Sequence, residues 1–188
     1  GLIWMGHTDS MLLQVSDKVA NDFDCVKMKI GSLNFEKECD ILDFIRRKYY
    51  QKDIILRVDA NGAFKPEEAL DKLTRLSEFK LHSIEQPIQP GQIETMKALC
   101  AKTPVPIALD EELIGIHDNI GWWLTSALES NIGLNSISQF ASYTKAAGHQ
   151  GLGTGQLYTN NIGSPLKIKS GFISYDSQTS WDLVPIHI

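Results

Sequence analysis

Residues 26–31 read Val-Lys-Met-Lys-Ile-Gly, an apolar run typical of a β-strand that is interrupted by Lys27 and Lys29. Side chains two positions apart on a strand point to the same side of the sheet, so the two lysines share one face. Burying an ammonium group is costly unless an anion compensates its charge. We therefore expect acidic side chains to lie opposite this pair.

Three later strand-like runs each end in a carboxylate: residues 53–59 end at Asp59, residues 79–85 at Glu85 and residues 105–110 at Asp110. Helical patterns separate these runs. Regular alternation of strand and helix, with reactive residues at the carboxyl ends of the strands, is typical of a parallel (β/α) barrel. The sequence therefore predicts an α/β fold of the (β/α) TIM-type barrel class over residues 1–165.

The alternation along these strands predicts that the lysines and carboxylates face the barrel interior near its mouth. Three converging carboxylates repel each other unless a cation lies among them, and a ligand set made only of oxygen favours Mg²⁺ over zinc. A second ammonium group and burial lower the pKa of a lysine, which could then remove the α-proton of a carboxylate substrate. The pattern indicates proton chemistry beside a metal ion.

The composition excludes several other classes of protein. The net charge is −5 and basic clusters are absent, so we expect no nucleic-acid partner. The longest apolar runs have the length of strands, so we expect no membrane partner. Cys25, Cys39 and Cys100 are odd in number and scattered, which predicts a reducing, cytoplasmic location and no disulfide framework.

Four motifs, read in chain order, resemble the barrel motifs of the enolase superfamily, muconate-lactonizing subgroup: Lys-Met-Lys at 27–29, Val-Asp-Ala-Asn-Gly-Ala-Phe at 58–64, Ile-Glu-Gln-Pro at 84–87 and Ala-Leu-Asp-Glu at 108–111. Within that subgroup, residues 126–133 and 149–155 are most similar to the dehydratases of menaquinone biosynthesis. The resemblance covers residues 1–165 and implies the barrel fold of that superfamily.

The resemblance implies a Mg²⁺-dependent carbon–oxygen lyase that dehydrates a hydroxy-cyclohexadiene carboxylate to o-succinylbenzoate through an enediolate intermediate. Lys29 resembles the base that removes the α-proton and, as its conjugate acid, helps the β-hydroxyl group to leave. Lys27 would contact the substrate carboxylate and hold Lys29 in the required protonation state. A lysine base working beside Mg²⁺ is well established for the superfamily as a whole.

The remaining site residues follow from the same resemblance. The metal ligands would be Asp59, Glu85 and Asp110. The substrate-binding residues would be Asn61, which belongs to the same strand-end motif as Asp59, and Ser126, Glu129, Ser130 and Asn131, which would lie near the succinyl end of the substrate. The implied partner is a small-molecule carboxylate, and a homo-oligomer is compatible with the pattern.

The chain departs from the family pattern after Asp110. Family members carry a further lysine, in a Lys-Pro motif, on the next strand, but only about ten residues separate Asp110 from the segment that begins at Ile120. Because these residues are too few for a helix, a strand and a second helix, we infer a missing segment between Asn119 and Ile120. Residues 166–188 would form a tail that packs against an N-terminal capping domain absent from this chain.

Other interpretations of these features remain open. The same motifs would serve an N-acylamino acid racemase or dipeptide epimerase, or a non-catalytic barrel subunit if the gap between residues 119 and 120 is real. The two lysines could instead protect an exposed edge strand, and each carboxylate alone could cap a helix. Residues 151–155 lack the context of a dinucleotide-binding loop, so a tight barrel loop is expected there.

Overall fold

The computed structural model describes residues 1–113, 122–126, 129–153, 158–159 and 161–182. The chain divides into two compact units: the first is Leu2–Asp118, and the second is Asn119–Ile188 together with Gly1. The break inferred between residues 119 and 120 lies outside the described residues.

The first unit alternates strands and helices along the chain. Its elements are β1 (Leu2–Ile3), α1 (Thr8–Ala20), β2 (Cys25–Lys29), α2 (Phe35–Lys48), β3 (Ile55–Asp59), α3 (Pro66–Ser77), β4 (Ser83–Glu85), α4 (Ile93–Cys100), β5 (Ile107–Ala108) and a short 3-10 turn, Glu111–Leu113. The five strands form one sheet in the order β1-β2-β3-β4-β5, and every pairing in it is parallel. This is the alternating pattern that the sequence predicts.

The register of the sheet places the charged residues in one row. Lys29 pairs with Asp59 across β2 and β3, and Asp59 pairs with Glu85 across β3 and β4. Glu85 in turn pairs with Ala108 on β5. Because parallel strands end at the same edge of the sheet, these residues lie side by side at its carboxyl edge.

The opposite face of the sheet is covered by helices and forms the core. Val26, Met28 and Val58 alternate with the charged residues along β2 and β3 and are buried. Helix α2 buries one stripe, which includes Leu42 and Ile45. The alternation therefore separates an aliphatic core from a charged face, as expected for strands of a (β/α) barrel.

All three strands are shorter than the runs that predict them in the sequence: β3 covers Ile55–Asp59, β4 Ser83–Glu85 and β5 Ile107–Ala108. The run 79–85 forms a strand only over Ser83–Glu85, because Lys80 adopts a left-handed conformation (φ 50°) that interrupts the extended backbone.

Arg46, at the end of α2, donates three hydrogen bonds to backbone carbonyl oxygens, from Nε to Phe79 (2.8 Å), from Nη1 to Ile54 (2.8 Å) and from Nη2 to Lys80 (2.7 Å). One guanidinium group thus joins α2 to the amino ends of β3 and β4.

The second unit contains a helix, α5 (Asn131–Tyr143), and an antiparallel hairpin of β6 (Leu166–Lys169) and β7 (Phe172–Tyr175). Ser170 and Gly171 both have positive φ angles, of 49° and 77°, as a tight two-residue hairpin turn requires. Thr125 and Gly151 form a parallel bridge. No helix in the described ranges is long and apolar enough to cross a membrane.

All three cysteines are free thiols. Cys25 and Cys39 are buried, and burial raises the pKa of the Cys39 thiol to about 11. Cys100 is exposed at the end of α4. The three cysteines therefore form no disulfide bond with one another.

Candidate active site

Both lysines of β2 contact carboxylates at the carboxyl edge of the sheet. Lys27 Nζ lies 2.9 Å from Glu85 Oε2 and 3.4 Å from Asp59 Oδ2. Lys29 Nζ lies 2.5 Å from Asp59 Oδ2 and donates to Asn61 Oδ1 at 2.7 Å. The Asp59 side chain is fully buried, and the lysine side chains retain 16% and 14% exposure. The structure therefore brings four charged groups and one amide into a single cluster, in which the two acids are buried while the ammonium groups and Asn61 reach solvent.

The turn after β3 positions two members of this cluster. Asn61 has a positive φ of 43°, a conformation that Asn tolerates better than most residues. Its backbone N–H donates to Asp59 Oδ1 at 3.0 Å, and its side-chain Nδ2 donates to Glu111 Oε1 at 3.2 Å. The Asn61 side chain is thereby held between the 3-10 turn and the ammonium group of Lys29.

Two acids, Glu85 of this cluster and the neighbouring Asp110, carry a charge that is poorly compensated. Burial raises the pKa of Glu85 to about 7; Lys27 lowers this pKa, whereas the negative charges of Asp59 and Asp110 raise it. Burial also raises the pKa of Asp110, and the neighbouring Glu111 adds to this effect. The two ammonium groups thus do not offset the burial and mutual repulsion of the acids, as expected where a further positive charge belongs.

The three acids meet part of the requirement for a metal site. Within the described ranges, no three His, Cys, Asp or Glu side chains are grouped as a ready-made site. The oxygens of Asp59 and Glu85 are instead in contact with the ammonium groups of Lys27 and Lys29. The donor chemistry of Asp59, Glu85 and Asp110 nevertheless fits a hard divalent cation, since all three side chains offer carboxylate oxygens.

Gln86 supports the cluster, a role that its position in the sequence does not predict. Its side chain is fully buried, and its Nε2 donates to the carbonyl oxygen of Ile88 at 3.0 Å. Its Oε1 accepts from the backbone N–H groups of Asp110 (3.3 Å) and Glu112 (3.4 Å). Gln86 therefore fixes the segment that carries Asp110. The signal in the sequence is a polar residue placed directly between Glu85 and a proline.

Trp4 also lies at the site, although its position in the sequence does not predict a role for it. Its ring centroid lies 5.9 Å from Lys29 Nζ, within the range of a cation–π contact. The Gln14 side chain holds the Trp4 backbone on both sides, accepting from its N–H at 2.8 Å and donating to its carbonyl oxygen at 3.1 Å. These hydrogen bonds fix the backbone of Trp4 so that its indole ring packs beside Lys29.

The remaining candidate residues lie in the second unit. Ser126 Oγ donates to Glu129 Oε1 at 2.6 Å. Ser130 is the N-cap residue of α5, and the Asn131 backbone N–H donates to Asn161 Oδ1 at 2.9 Å. The structure therefore brings these four expected substrate-binding residues together at the start of one helix.

The family described as enolase C-terminal domain-like matches residues 10–128 of this chain. The chain belongs to the enolase C-terminal domain-like family. The crystal structure of MenC from Desulfotalea psychrophila superposes with a TM-score of 0.81 at 42% sequence identity, covering 92% of this chain and 58% of that one. The fold is thus the α/β barrel-like fold of the enolase superfamily, as the sequence motifs predict.

Individual members of the superfamily differ in how similar they are to this chain. The chain is 43% identical over 211 aligned residues to the o-succinylbenzoate synthase of Desulfotalea psychrophila, covering 92% of this chain and 57% of that protein. It is 29% identical over 108 residues to a hydrophobic dipeptide epimerase of Enterococcus faecalis, covering 57% of this chain and 30% of that protein. An L-Ala-D/L-Glu epimerase of Bacillus subtilis shares the fold with a TM-score of 0.80 at 15% identity, covering 93% of this chain and 59% of that one.

The chain spans little more than half of the o-succinylbenzoate synthase that it matches. The alignment with that enzyme extends over 211 positions, more than the 188 residues of the chain. The relative therefore contains residues within the aligned region that have no counterpart here.

Proposed function

We propose that the protein carrying this chain is a dehydratase that forms o-succinylbenzoate from a hydroxy-cyclohexadiene carboxylate. One observation carries the proposal: the two lysines of β2 face buried carboxylates at the strand ends, in a chain 43% identical to an o-succinylbenzoate synthase. The reaction removes an α-proton and a β-hydroxyl group, and both steps need a group that accepts and returns a proton.

Lys29 is the proposed base. Its position on β2 is two residues closer than that of Lys27 to the carboxyl end of the strand, where barrel active sites lie. Contacts with Asp59 and Asn61 fix the nitrogen in place. Lys29 takes the α-proton in its neutral form and returns a proton to the departing hydroxyl group. Lys27, held by Glu85, contacts the substrate carboxylate.

Asp59, Glu85 and Asp110 are the proposed ligands of Mg²⁺. The support is their oxygen-only chemistry and the raised pKa values of Glu85 and Asp110, which indicate carboxylates in need of positive charge. When bound, Mg²⁺ stabilises the negative charge that the substrate carboxylate gains as the α-proton leaves. The chain buries the carboxylates of Asp59 and Glu85 at the ends of β3 and β4 and places the half-buried Asp110 two residues after β5.

The second unit has a role in the same proposal. Ser126, Glu129, Ser130 and Asn131, together with Asn61 of the first unit, are the proposed contacts to the substrate. The hairpin of β6 and β7 exposes Phe172 and Tyr175. This apolar surface supports the prediction that residues 166–188 pack against a capping domain. A cytoplasmic location and a homo-oligomeric assembly belong to the same proposal.

The inferred missing segment is part of the proposal because its residues would carry the second lysine. The longer alignment of the relative supports its existence, and the short connection after Asp110 supports its place between residues 119 and 120. Intact-mass measurement of the purified protein tests it. We expect a mass above the 21.0 kDa of the chain, whereas a mass of 21.0 kDa would favour a non-catalytic barrel subunit.

The function itself is tested by assaying the purified protein with Mg²⁺ and the hydroxy-cyclohexadiene carboxylate. We expect the ultraviolet absorbance of the aromatic product to appear, and chelation of Mg²⁺ to abolish its formation. Parallel samples contain dipeptides or N-acylamino acids in D₂O, where epimerisation would incorporate deuterium at the α-carbon. Deuterium incorporation without any dehydration would replace the proposal by an epimerase or racemase.

A further inference from the structure

Glu38 is a buried carboxylate that the proposed reaction does not use. Its side chain lies in the first turn of α2 and its residue is only 1% exposed. Oε1 accepts from three consecutive backbone N–H groups, those of Gly31 (2.8 Å), Ser32 (3.1 Å) and Leu33 (3.0 Å). These residues form the loop that follows Lys29 and Ile30, so the carboxylate holds the backbone directly after the catalytic strand.

The second oxygen of this carboxylate makes the arrangement costly. Oε2 is buried and has no hydrogen-bond partner among the described residues. An unsatisfied buried oxygen lowers stability, and such groups are rare in native structures. If position 38 served stability alone, a side chain without an unpaired buried oxygen would stabilise the protein better than Glu38 does. The cost therefore points to a role for the loop that Glu38 holds.

Contacts connect this loop to the active site. Gly31 has a φ of 95°, and a Cβ atom built on it would lie 2.3 Å from the Cβ of Ala63, so the loop is pressed against the turn after β3. The Ala63 N–H donates to the carbonyl oxygen of Ala60 at 2.9 Å, which closes that turn. The same turn carries Asn61, whose side chain contacts Lys29 Nζ.

We propose that Glu38 is a positioning residue: it fixes the loop of residues 31–33 and, through the contact of Gly31 with Ala63, the turn that holds Asn61 against Lys29. The coupling between loop and turn stands on the geometry alone. Its consequence for catalysis rests on the proposed function. Among the described residues, the Glu38 side chain accepts hydrogen bonds from the backbone of residues 31–33 and makes no hydrogen bond or ion pair with Lys29 or with the proposed metal ligands.

Hydrogen–deuterium exchange of the whole protein tests the coupling without any measurement of activity. In Glu38→Ala we expect faster exchange of amides 31–33, which lose their acceptor, and also of amides 60–64. Glu38→Gln keeps one acceptor oxygen and should leave amides 60–64 close to the wild-type rate. The control is Glu36→Ala, which removes an exposed carboxylate from the same helical turn and should change neither region.

Steady-state kinetics then test the consequence. We expect Glu38→Ala to lower kcat at least tenfold with KM changed less than threefold, and Glu38→Gln to recover most of kcat. If Glu38→Ala does not fold, Glu38→Asp replaces it, because the shorter side chain keeps the charge but withdraws the oxygen from the three amides. An unchanged exchange rate at amides 60–64 beside faster exchange at 31–33 would overturn the coupling. A wild-type protein without dehydratase activity would refute the proposed function and leave that exchange result intact.

Discussion

Both ends of the five-stranded sheet hold cationic side chains, but the cations have different partners. At the carboxyl ends, Lys27 and Lys29 contact the carboxylates of Asp59 and Glu85. At the amino ends, Arg46 donates to three backbone carbonyl oxygens. A carboxylate can exchange an ammonium group for a metal ion and can bind a proton, whereas a carbonyl group is a fixed acceptor. The first end is therefore suited to chemistry and the second to holding the fold.

The largest expected effect of this difference is on catalysis at the carboxyl end. Lys29→Arg keeps a positive charge beside Asp59, but a guanidinium group cannot lose its proton at neutral pH. We expect dehydration to slow by about 10³-fold, equivalent to about 4 kcal/mol, while the melting temperature changes little. The assay is the absorbance of the aromatic product. A wild-type rate would mean that another group is the base.

The second-largest effect concerns Arg46 at the amino end of the sheet, and it should appear in the stability of the protein and not in its activity. Arg46→Ala leaves three backbone carbonyl oxygens without their donor, which we expect to cost about 3 kcal/mol in the free energy of unfolding measured with urea. Any remaining folded enzyme should keep its kcat. The neighbouring Arg47 is the matched control: it pairs with Asp43 while its side chain is 80% exposed, so Arg47→Ala should barely move the unfolding midpoint. Equal losses in both variants would contradict the role given to Arg46.

A third test asks whether the carboxyl end exchanges its cations for a metal ion. Glu85→Gln keeps the shape of the side chain but removes its charge. We expect the affinity for Mg²⁺, measured by calorimetry, to fall by about a hundredfold without unfolding the protein. Glu94→Gln changes an exposed glutamate that pairs with Lys97, and should leave the affinity unchanged. Unaltered binding in Glu85→Gln would remove Glu85 from the metal site.

The smallest effect concerns Asn61, which we propose orients Lys29. Asn61→Gly keeps the left-handed backbone conformation but removes the oxygen that accepts from Lys29. We expect kcat to fall about tenfold, because the ammonium group stays beside Asp59 but loses one of two positional contacts. Asp22→Gly, at an exposed left-handed position outside the site, is the control for the backbone change. A loss of kcat in both variants would point to the backbone and not to the amide.

Much of the site could be predicted from the sequence because its signals are local. A period of two places Lys27 and Lys29 on one face, and the regular spacing of strands that end in Asp59 and Glu85 predicts a shared edge. In a parallel sheet this edge follows from chain direction alone. The pairing of particular charges, Lys27 with Glu85 and Lys29 with Asp59, depends on register and side-chain packing. The sequence contains no rule that selects it.

The strand lengths and supporting residues could not be predicted for a related reason. Lys80 breaks the run 79–85 by its left-handed conformation, which also brings its carbonyl oxygen to Arg46. Gln86 appears in the sequence only as a polar residue before a proline, yet it fixes the backbone of Asp110. Both functions depend on partners far away in the chain.

The sequence by itself determined the order of strands and helices in the first unit, the face of its strands that carries charge, and the family motifs at the strand ends, but not the hairpin of β6 and β7. Only the tertiary structure separated residues that look alike in the sequence. Glu36 and Glu38 are both acids in the first turn of α2, and Arg46 and Arg47 are both bases in its last turn. One member of each pair is exposed, and the other is enclosed by loops or strands distant in sequence. Burial and hydrogen-bond partners are set by those distant elements, so local sequence cannot encode which residue holds the fold and which lies in solvent.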